Sequence, residues 1–258
     1  SWDPNTKAWV KAWGSTPYNM VEVSVRRTKA ASAPLGSVFS KVLGFNSFDV
    51  EARSVASVAP ATGFRIPPNA SGATGGTETI DLLPIALDLT TWNNLVSQIS
   101  SNTSYGFQDQ RSYNSSTHSV LSGSDGVPEV NIYPDANSSM PPGNRGTVDI
   151  GSPNNSTADL KRQIQYGINA SDLSYFPNGV LKFNDQGILY LNGDTGISAG
   201  IEAALKSIIG HVRCIPIFID VSGPGNNAQY TIVKFVGVRI MAVILTGGPT
   251  QRYLSVQP

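Results

Sequence analysis

Cysteine, histidine and charged side chains are all scarce in this 258-residue chain. Its single cysteine, Cys214, excludes a disulfide within the chain. Lys+Arg and Asp+Glu are equal at 18 each, and charged residues make up only 14% of the sequence, against about a quarter in most soluble domains. So sparse and balanced a charge disfavours a nucleic-acid-binding surface or a polybasic membrane surface.

The sequence also lacks the common catalytic and metal-binding motifs. It has no Gly-x-Ser-x-Gly elbow, no His/Cys metal cluster and no phosphate-loop lysine. His118 lies in a serine-rich loop, and His211 follows a glycine predicted to end a helix, where a cationic imidazole would favour the helix C-terminus. Cys214 lies in an apolar run that favours a buried, inert thiol. We therefore predict no catalytic residue, no cofactor and a non-enzymatic protein.

Polarity comes instead from Ser, Thr, Asn and Gly, which suit loops and strands better than long helices. This composition is typical of an exported or cell-surface protein. The abrupt start at "SWDPNTKAW" predicts a mature or trimmed piece of a longer protein.

Two segments near the N-terminus alternate apolar and polar residues with the period of a β-strand. They are "NMVEVSVRRT" and "SFDVEARSVASV". Between them, "SAPLGSVFSKVLG" predicts a short amphipathic helix, with Pro34 in its first turn, Gly44 as its cap, and an apolar stripe of Leu35, Val38, Phe39 and Val42. We predict a strand-helix-strand unit over residues 20–58.

Residues 60–78 are rich in Pro, Gly and Thr and indicate a linker or long loop. The predicted organisation is a strand-helix-strand module with an aromatic arm over 1–58, a linker or loop over 59–79, and an α+β body over 80–258 ending in a β-hairpin. The module and the body are either separate or packed as one domain. The predicted fold class is α+β, a mixed β-sheet with several short amphipathic helices and long Ser/Asn/Gly-rich surface loops.

Strands and helices alternate in the predicted body. We predict strands over 82–89, 129–134 and 187–193, and a further core segment from "GTVDIG". One helix, over 90–99, is capped by Thr90 or Thr91. A second starts at Ser156, in capping-box spacing with Asp159, and a third covers 194–210 and ends at Gly210.

The most apolar stretch, residues 215–248, is interrupted by Asp220, the cluster "SGPGNN", Lys234 and Arg239. A membrane helix needs about 20 consecutive apolar residues, so a membrane span is excluded here. Two core strands, over 212–221 and 229–246, fit the pattern, with "SGPGNN" as their connection. The second shows little alternation and is predicted to be a central strand covered on both faces.

The same connection raises a metal-site alternative. Adhesion domains of the von Willebrand A type hold a divalent cation with Asp-x-Ser-x-Ser. Asp220 and Ser222 match, but Pro224 replaces the second serine and removes its hydroxyl. We predict no metal site and keep Asp220 and Ser222 as the candidate ligands of the alternative, with Asn226 and Asn227 beside them in a ligand-binding version.

The N-terminal arm carries three tryptophans, Trp2, Trp9 and Trp13. Large aromatic side chains either contact a neighbouring subunit or cover the chain's own core, and both alternatives stay open.

Taken together, these motifs resemble the TadG-like envelope proteins of the Flp pilus and tight-adherence system, particularly the planctomycete-type group. The resemblance lies in the order and wording of "WDPNTKAW", "NMVEVSVRRT", "VLGF" and "DVEARSVASV", and then of "LLPIALD", "GNRGTVDIGSPNNSTADLKRQI", "NGDTGISAGIEAALKSIIG" and "RCIPIFIDVSGPGNNAQYTIVKFVGVRI". It covers most of the chain except residues 100–130.

The resemblance implies an upstream membrane helix, absent from this chain, and a body outside the cytoplasm, in the periplasm or at the cell surface. It implies a structural role in pilus assembly or surface adhesion, with other envelope or pilus subunits, or the chain itself, as partners. It supplies no catalytic residues. The alternatives are a subunit of an extracellular filament, a surface adhesin and a metal-dependent ligand-binding protein.

Overall fold

The computed structural model describes residues 2–3, 8–9, 20–30, 34–36, 47–57, 62–66, 78–101, 103–133, 145–152, 156–223, 225–248 and 251–258. The chain divides into two compact units, Ser1–Ala61 and Thr62–Pro258. The boundary falls inside the segment predicted to be a linker.

The first unit is built from antiparallel strand pairs. Its strands are β1 (Trp2–Asp3), β2 (Ala8–Trp9), β3 (Met20–Arg27), β4 (Leu35–Gly36), β5 (Ser47–Phe48) and β6 (Val50–Ser57). The long pair is β3 with β6, in a register that sets Met20 opposite Ser57 and Arg27 opposite Val50. Both strands expected from the period-two pattern are therefore confirmed.

The helix expected over residues 32–44 does not start where the sequence predicted. Leu35 and Gly36 form β4, which pairs with Phe48 and Ser47 of β5. Pairing with a distant strand overrides a local helical pattern, and a glycine in the first turn weakens that helix further. The rest of the predicted stripe, Val38, Phe39 and Val42, and the predicted cap, Gly44, lie outside the described residues.

The second unit contains strands and short helices in alternation. Its strands are β7 (Gly63–Phe64), β8 (Leu87–Asp88), β9 (Arg111–Asn114), β10 (Ser119–Ser122), β11 (Val130–Tyr133), β12 (Thr147–Val148), β13 (Leu181–Lys182), β14 (Leu189–Asp194), β15 (Val212–Ser222), β16 (Ala228–Ile244) and β17 (Tyr253–Gln257). Its helices are α1 (Leu89–Ser101), α2 (Thr157–Tyr166), α3 (Ala170–Leu173) and α4 (Glu202–Lys206), with 3₁₀ turns at Pro177–Gly179, Ala199–Ile201 and Gly225–Asn227. Within the described ranges, no helix combines the length and apolarity needed to cross a membrane.

A seven-stranded mixed sheet organises this unit around β16. One edge of β16 pairs with β15 over nearly the whole of that strand. The other edge pairs first with β14 and then with β17, while the outer edge of β15 takes β8 in parallel. The α+β class, the mixed sheet, the hairpin of residues 212–246 and the central position of its second strand are all confirmed.

A bulge in β16 explains why its sequence alternates poorly. Ile217 is opposite Lys234 but the next residue, Phe218, is opposite Ile232, so Val233 is an extra residue in the ladder. Because side chains in a strand alternate between faces, one extra residue reverses the pattern beyond it.

Two hydrophobic clusters use the two halves of β16. Tyr230 and Ile232, before the bulge, belong to a cluster with Phe218, whereas Val238 and Ile240, after it, belong to the other. The latter cluster takes in the apolar stripes of α1, α2 and α4 and of the 3₁₀ turn before α4, including Leu95, Leu160, Ile164, Leu205 and Ile201.

Helix ends follow the sequence in part. The capping box of α2 is confirmed, since Ser156 and Asp159 exchange both hydrogen bonds. The expectation that Thr90 or Thr91 caps α1 is wrong, because the carboxylate of Asp88 accepts the N–H of Thr91 at 2.8 Å. The helix expected over 194–210 is a 3₁₀ turn followed by the five-residue α4, since the glycine at 200 weakens the early turns.

Candidate functional site

The long strand pair β3–β6, called the ribbon below, exposes an apolar face. Val23, Val25 and Val50 are 54%, 62% and 36% exposed. The register places Val25 opposite Ala52 and Arg27 opposite Val50, and residues opposite one another share a face. Val23, Val25, Val50 and Ala52 therefore form an apolar patch on this face of the ribbon, and Arg27 and Ser54 lie beside it on the same face.

The other face of the ribbon is charged. Arg26 lies opposite Glu51, and its Nε is 3.2 Å from Glu51 Oε1, with side chains 55% and 43% exposed. Arg53 lies opposite Ser24 on the same face. The ribbon is thus amphipathic, with positive and negative side chains in neighbouring rows.

Within the described residues, no third strand pairs with the ribbon. Alternate residues on the outer edge of each strand then turn N–H and C=O groups away from the partner strand. An open edge of this kind can accept a further strand, and an isolated pair of strands is at best marginally stable in water. Both properties make the ribbon a candidate contact surface.

Arg145, the positive member of a buried ion pair, lines a cleft in the second unit. Arg145 Nη2 lies 2.8 Å from Asp88 Oδ2, with side chains 4% and 2% exposed. Arg145 Nε donates to the same oxygen at 2.9 Å. Its other donors reach Thr91 Oγ1 at 2.6 Å and the carbonyl oxygen of Asn131 at 3.0 Å. The pair therefore links the start of α1 to the edge strand β11.

The cleft has a volume of about 560 Å³, and Glu129 and Arg111 also line it. The buried carboxylate of Glu129 accepts the backbone N–H groups of Gln110 and Arg111, each at 2.8 Å. The guanidinium of Arg111 lies 5.5 Å from the centre of the Tyr253 ring, in a cation–π contact. The cleft lining combines apolar surface with charged groups of both signs, and it can accommodate a small polar ligand.

The two candidate metal ligands lie on a strand. Asp220 and Ser222 are exposed residues of β15, opposite Thr231 and Gln229 of β16. Pro224, between β15 and the following turn, lies outside the described residues. In the described ranges, no group of three or more His, Cys, Asp or Glu residues is placed to hold a metal ion.

Asn226 and Asn227, the other residues of the ligand-binding alternative, are exposed in the 3₁₀ turn that follows. The carbonyl oxygen of Asn226 accepts the side-chain amide of Asn192 at 3.4 Å. These residues form the turn that connects β15 to β16.

The remaining sequence candidates have separate positions. His118 Nδ1 is 3.1 Å from the hydroxyl of Tyr113, at the tip of the β9–β10 hairpin. His211 is exposed at the end of the turns after α4. Burial raises the pKa of Cys214 to about 11, which keeps the thiol protonated and unreactive at neutral pH.

The aromatic arm is described only in part. The backbones of Trp2 and Trp9 are directly opposite one another in the β1–β2 pair. Trp13 lies outside the described residues, so the choice between docking on a neighbour and covering the core stays open.

Sequence reasoning missed Arg145 and Glu129, the buried charges that line the cleft, and Asp88, the buried partner of Arg145. Asp88 follows the apolar segment "LLPIAL" and precedes a helix, a position where Asp is a preferred cap, so this signal was readable. The pairing of Arg145 with Asp88 was not, because 57 residues separate them and no local pattern connects them.

Comparison of this chain with protein-family models, with curated proteins and with solved structures finds no match.

Proposed function

We propose that this chain is a non-enzymatic structural component of a bacterial Flp/Tad pilus-assembly or surface-adherence system. It is the extracytoplasmic part of a membrane-anchored protein, in the periplasm or at the cell surface. Its role is to contact other envelope subunits.

The observation that carries this proposal is the exposed apolar face of the ribbon. Val23 and Val25 are more than half exposed, and a row of valines with an open strand edge is costly to leave in water unless another surface covers it. The two strands come from "NMVEVSVRRT" and "DVEARSVASV", which are also segments that resemble the TadE/TadG-like module.

Site-specific photo-cross-linking tests the proposal in cells of the source organism. A photoreactive residue at Val25 is expected to cross-link to a distinct envelope subunit. The same residue at Ser116, exposed in the β9–β10 turn, is the control and is expected to give no such product. Equal labelling from both positions, or cross-links to cytoplasmic proteins alone, would contradict the proposal.

Gene context gives a second test. The full gene is expected to encode a hydrophobic segment upstream of Ser1, next to genes for a secretion ATPase and a prepilin peptidase. If neither the segment nor those neighbours are present, the pilus assignment fails.

A filament subunit is the alternative that uses the aromatic arm, because β1 and β2 bring the backbones of two tryptophans together. Deletion of residues 1–18 should then abolish filament assembly. Assembly that survives this deletion removes the alternative.

A ligand-binding role is favoured by one further observation, the cleft between Arg145 and Arg111. The guanidinium of Arg111 suits a small carboxylate or phosphate, whereas Arg145 already donates to Asp88, Thr91 and Asn131. Citrate and inorganic phosphate should raise the melting temperature of the natural chain but not of the Arg111→Gln variant. Equal shifts in both proteins, or none, would exclude this role.

A further inference from the structure

The outer edge of β6 is complementary to itself. Its first five residues are Val50, Glu51, Ala52, Arg53 and Ser54. In an antiparallel pair of identical strands related by a two-fold axis, the choice of axis fixes every opposite pair. An axis at Ala52 sets Glu51 opposite Arg53 of the second copy twice, and Val50 opposite Ser54 twice.

Neighbouring registers are unfavourable. An axis at Glu51 sets two Glu51 carboxylates against each other, and an axis at Arg53 does the same for two guanidinium groups. Like charges directly opposite destabilise a strand pair. An axis between two residues pairs each side chain with one from the other face of the ribbon. Ala52 would then be opposite a charged residue, and the apolar face of one copy would continue as the charged face of the second. Of these registers, only the axis at Ala52 both keeps the corresponding faces of the two copies on the same side and sets Glu51 opposite Arg53.

We infer that β6 pairs antiparallel with β6 of a second copy of this chain, about a two-fold axis at Ala52. The inference rests on the proposed function in that both use the ribbon as a contact surface. It goes further by naming the partner of one edge, a second copy, and the register of the contact.

The charged face of the ribbon supports this arrangement. Glu51 already pairs with Arg26 of its own chain, and both side chains are about half exposed. In the dimer each Glu51 lies between its own Arg26 and Arg53 of the second copy. Positive and negative side chains then alternate along this row, and opposite charges that face one another across two strands stabilise the pair.

The apolar face supports it as well. Val25 lies opposite Ala52, so the row across the dimer is Val25, Ala52, Ala52 and Val25. The pair of strands becomes a four-stranded sheet in which the apolar patches of the two copies meet at this row, flanked by rows that also contain Arg27 and Ser54. Three or more strands that share an apolar face can be stable where an isolated pair is not.

Charge exchange tests the register in the purified 258-residue chain. Glu51→Lys alone sets Lys against Arg53 of the second copy, and Arg53→Glu alone sets Glu against Glu51. Each variant is expected to dimerise about tenfold more weakly than the natural chain, since both central pairs become repulsive. A mixture of the two variants pairs opposite charges at every position, so dimerisation should return to within about threefold of the natural value.

Sedimentation velocity measures these three states. Rescue on mixing also shows that the single variants still fold, because a damaged ribbon would not recover with a damaged partner. No rescue, or single variants that dimerise as well as the natural chain, would overturn the inference.

Disulfide cross-linking locates the edge. In a Cys214→Ala background, Ala52→Cys is expected to give a disulfide dimer under mild oxidation, because opposite Cβ atoms are about 4.5–5.5 Å apart. Ser24→Cys, at the middle of β3, is the matched control and is expected to stay monomeric. Cross-linking of Ser24→Cys without Ala52→Cys would show pairing through β3 and refute the inference.

Failure of this inference and failure of the proposed function are distinguishable. A chain that stays monomeric in these assays, yet cross-links from Val25 to another envelope subunit in cells, refutes the self-pairing and leaves the proposed function standing. A chain that dimerises through Ala52 but gives no envelope cross-link supports the inference and contradicts the function.

Discussion

Replacing Asp88 by asparagine should be among the most damaging single changes in the second unit. The substitution keeps the shape of the side chain and an oxygen that can accept the N–H of Thr91. It removes the negative charge that lies 2.8 Å from Arg145 Nη2. Arg145 then stays buried with its charge uncompensated.

The expected cost is about 3–5 kcal/mol in the free energy of unfolding, the usual result of removing one partner of a buried ion pair. Arg145→Met should cost a similar amount, because it leaves Asp88 charged and removes the donor to the carbonyl oxygen of Asn131. The double variant removes both charges, so its cost should lie at least about 2 kcal/mol below the sum of the single costs.

Native-state hydrogen exchange is the assay. The backbone amides of β16 pair on both edges, and amides at the centre of a sheet exchange mainly through unfolding of the whole unit. Their exchange therefore reports the stability of the second unit separately from the first. Lys161→Met, an exposed lysine of α2, is the control and should change stability by less than about 0.5 kcal/mol.

Two results would refute the reasoning about this ion pair. One is a cost below about 1 kcal/mol for Asp88→Asn, the value expected of an exposed pair. The other is a double variant whose cost equals the sum of the single costs, which would mean that the two residues act independently.

Three further predictions concern separate positions. Gly146→Ala should destabilise by about 1–3 kcal/mol, because its Cβ would overlap a carbonyl oxygen of β14, whereas Gly237→Ala, with open space around its Cβ, should be near neutral in urea unfolding. Cys214, which is partly buried and whose pKa is raised by burial to about 11, should react with a thiol reagent at pH 8 much more slowly in the folded chain than after unfolding; equal labelling rates would contradict this. Ser156→Ala should cost about 1 kcal/mol at pH 7. Hydrogen bonds from Ser156 lower the pKa of Asp159 below 3.8, so that carboxylate stabilises the folded chain above pH 3.8 and stops doing so as the pH falls through the lowered value. Thermal unfolding should therefore show the difference between Ser156→Ala and the natural chain shrinking in acid.

Elements with strong local patterns were readable from the sequence. The valines of β3, the Ser156–Asp159 box and the apolar flanks of the 215–248 stretch each carry their signal within a few residues. The same holds for the apolar face of the ribbon, since alternation over Val21, Val23 and Val25 already indicates one apolar side.

Features that depend on distant partners were not readable. Leu35 belongs to a strand because β5 lies opposite it, although its own neighbours have helical spacing. Arg145 is buried because Asp88 meets it from 57 residues away. The cleft follows from that pairing, so no local pattern indicated it.

Because Val233 is an extra residue in the ladder, the number of residues in β16 determines which hydrophobic cluster each of its side chains enters. Deleting Val233 would remove this register shift, and the side chains of Tyr230 and Ile232 would then turn to the side now held by Val238 and Ile240. One cluster would lose Tyr230 and Ile232 while the other received volume it has no room for. A single deletion at this position should therefore do more harm than most substitutions in the strand, although it removes only one partly buried side chain.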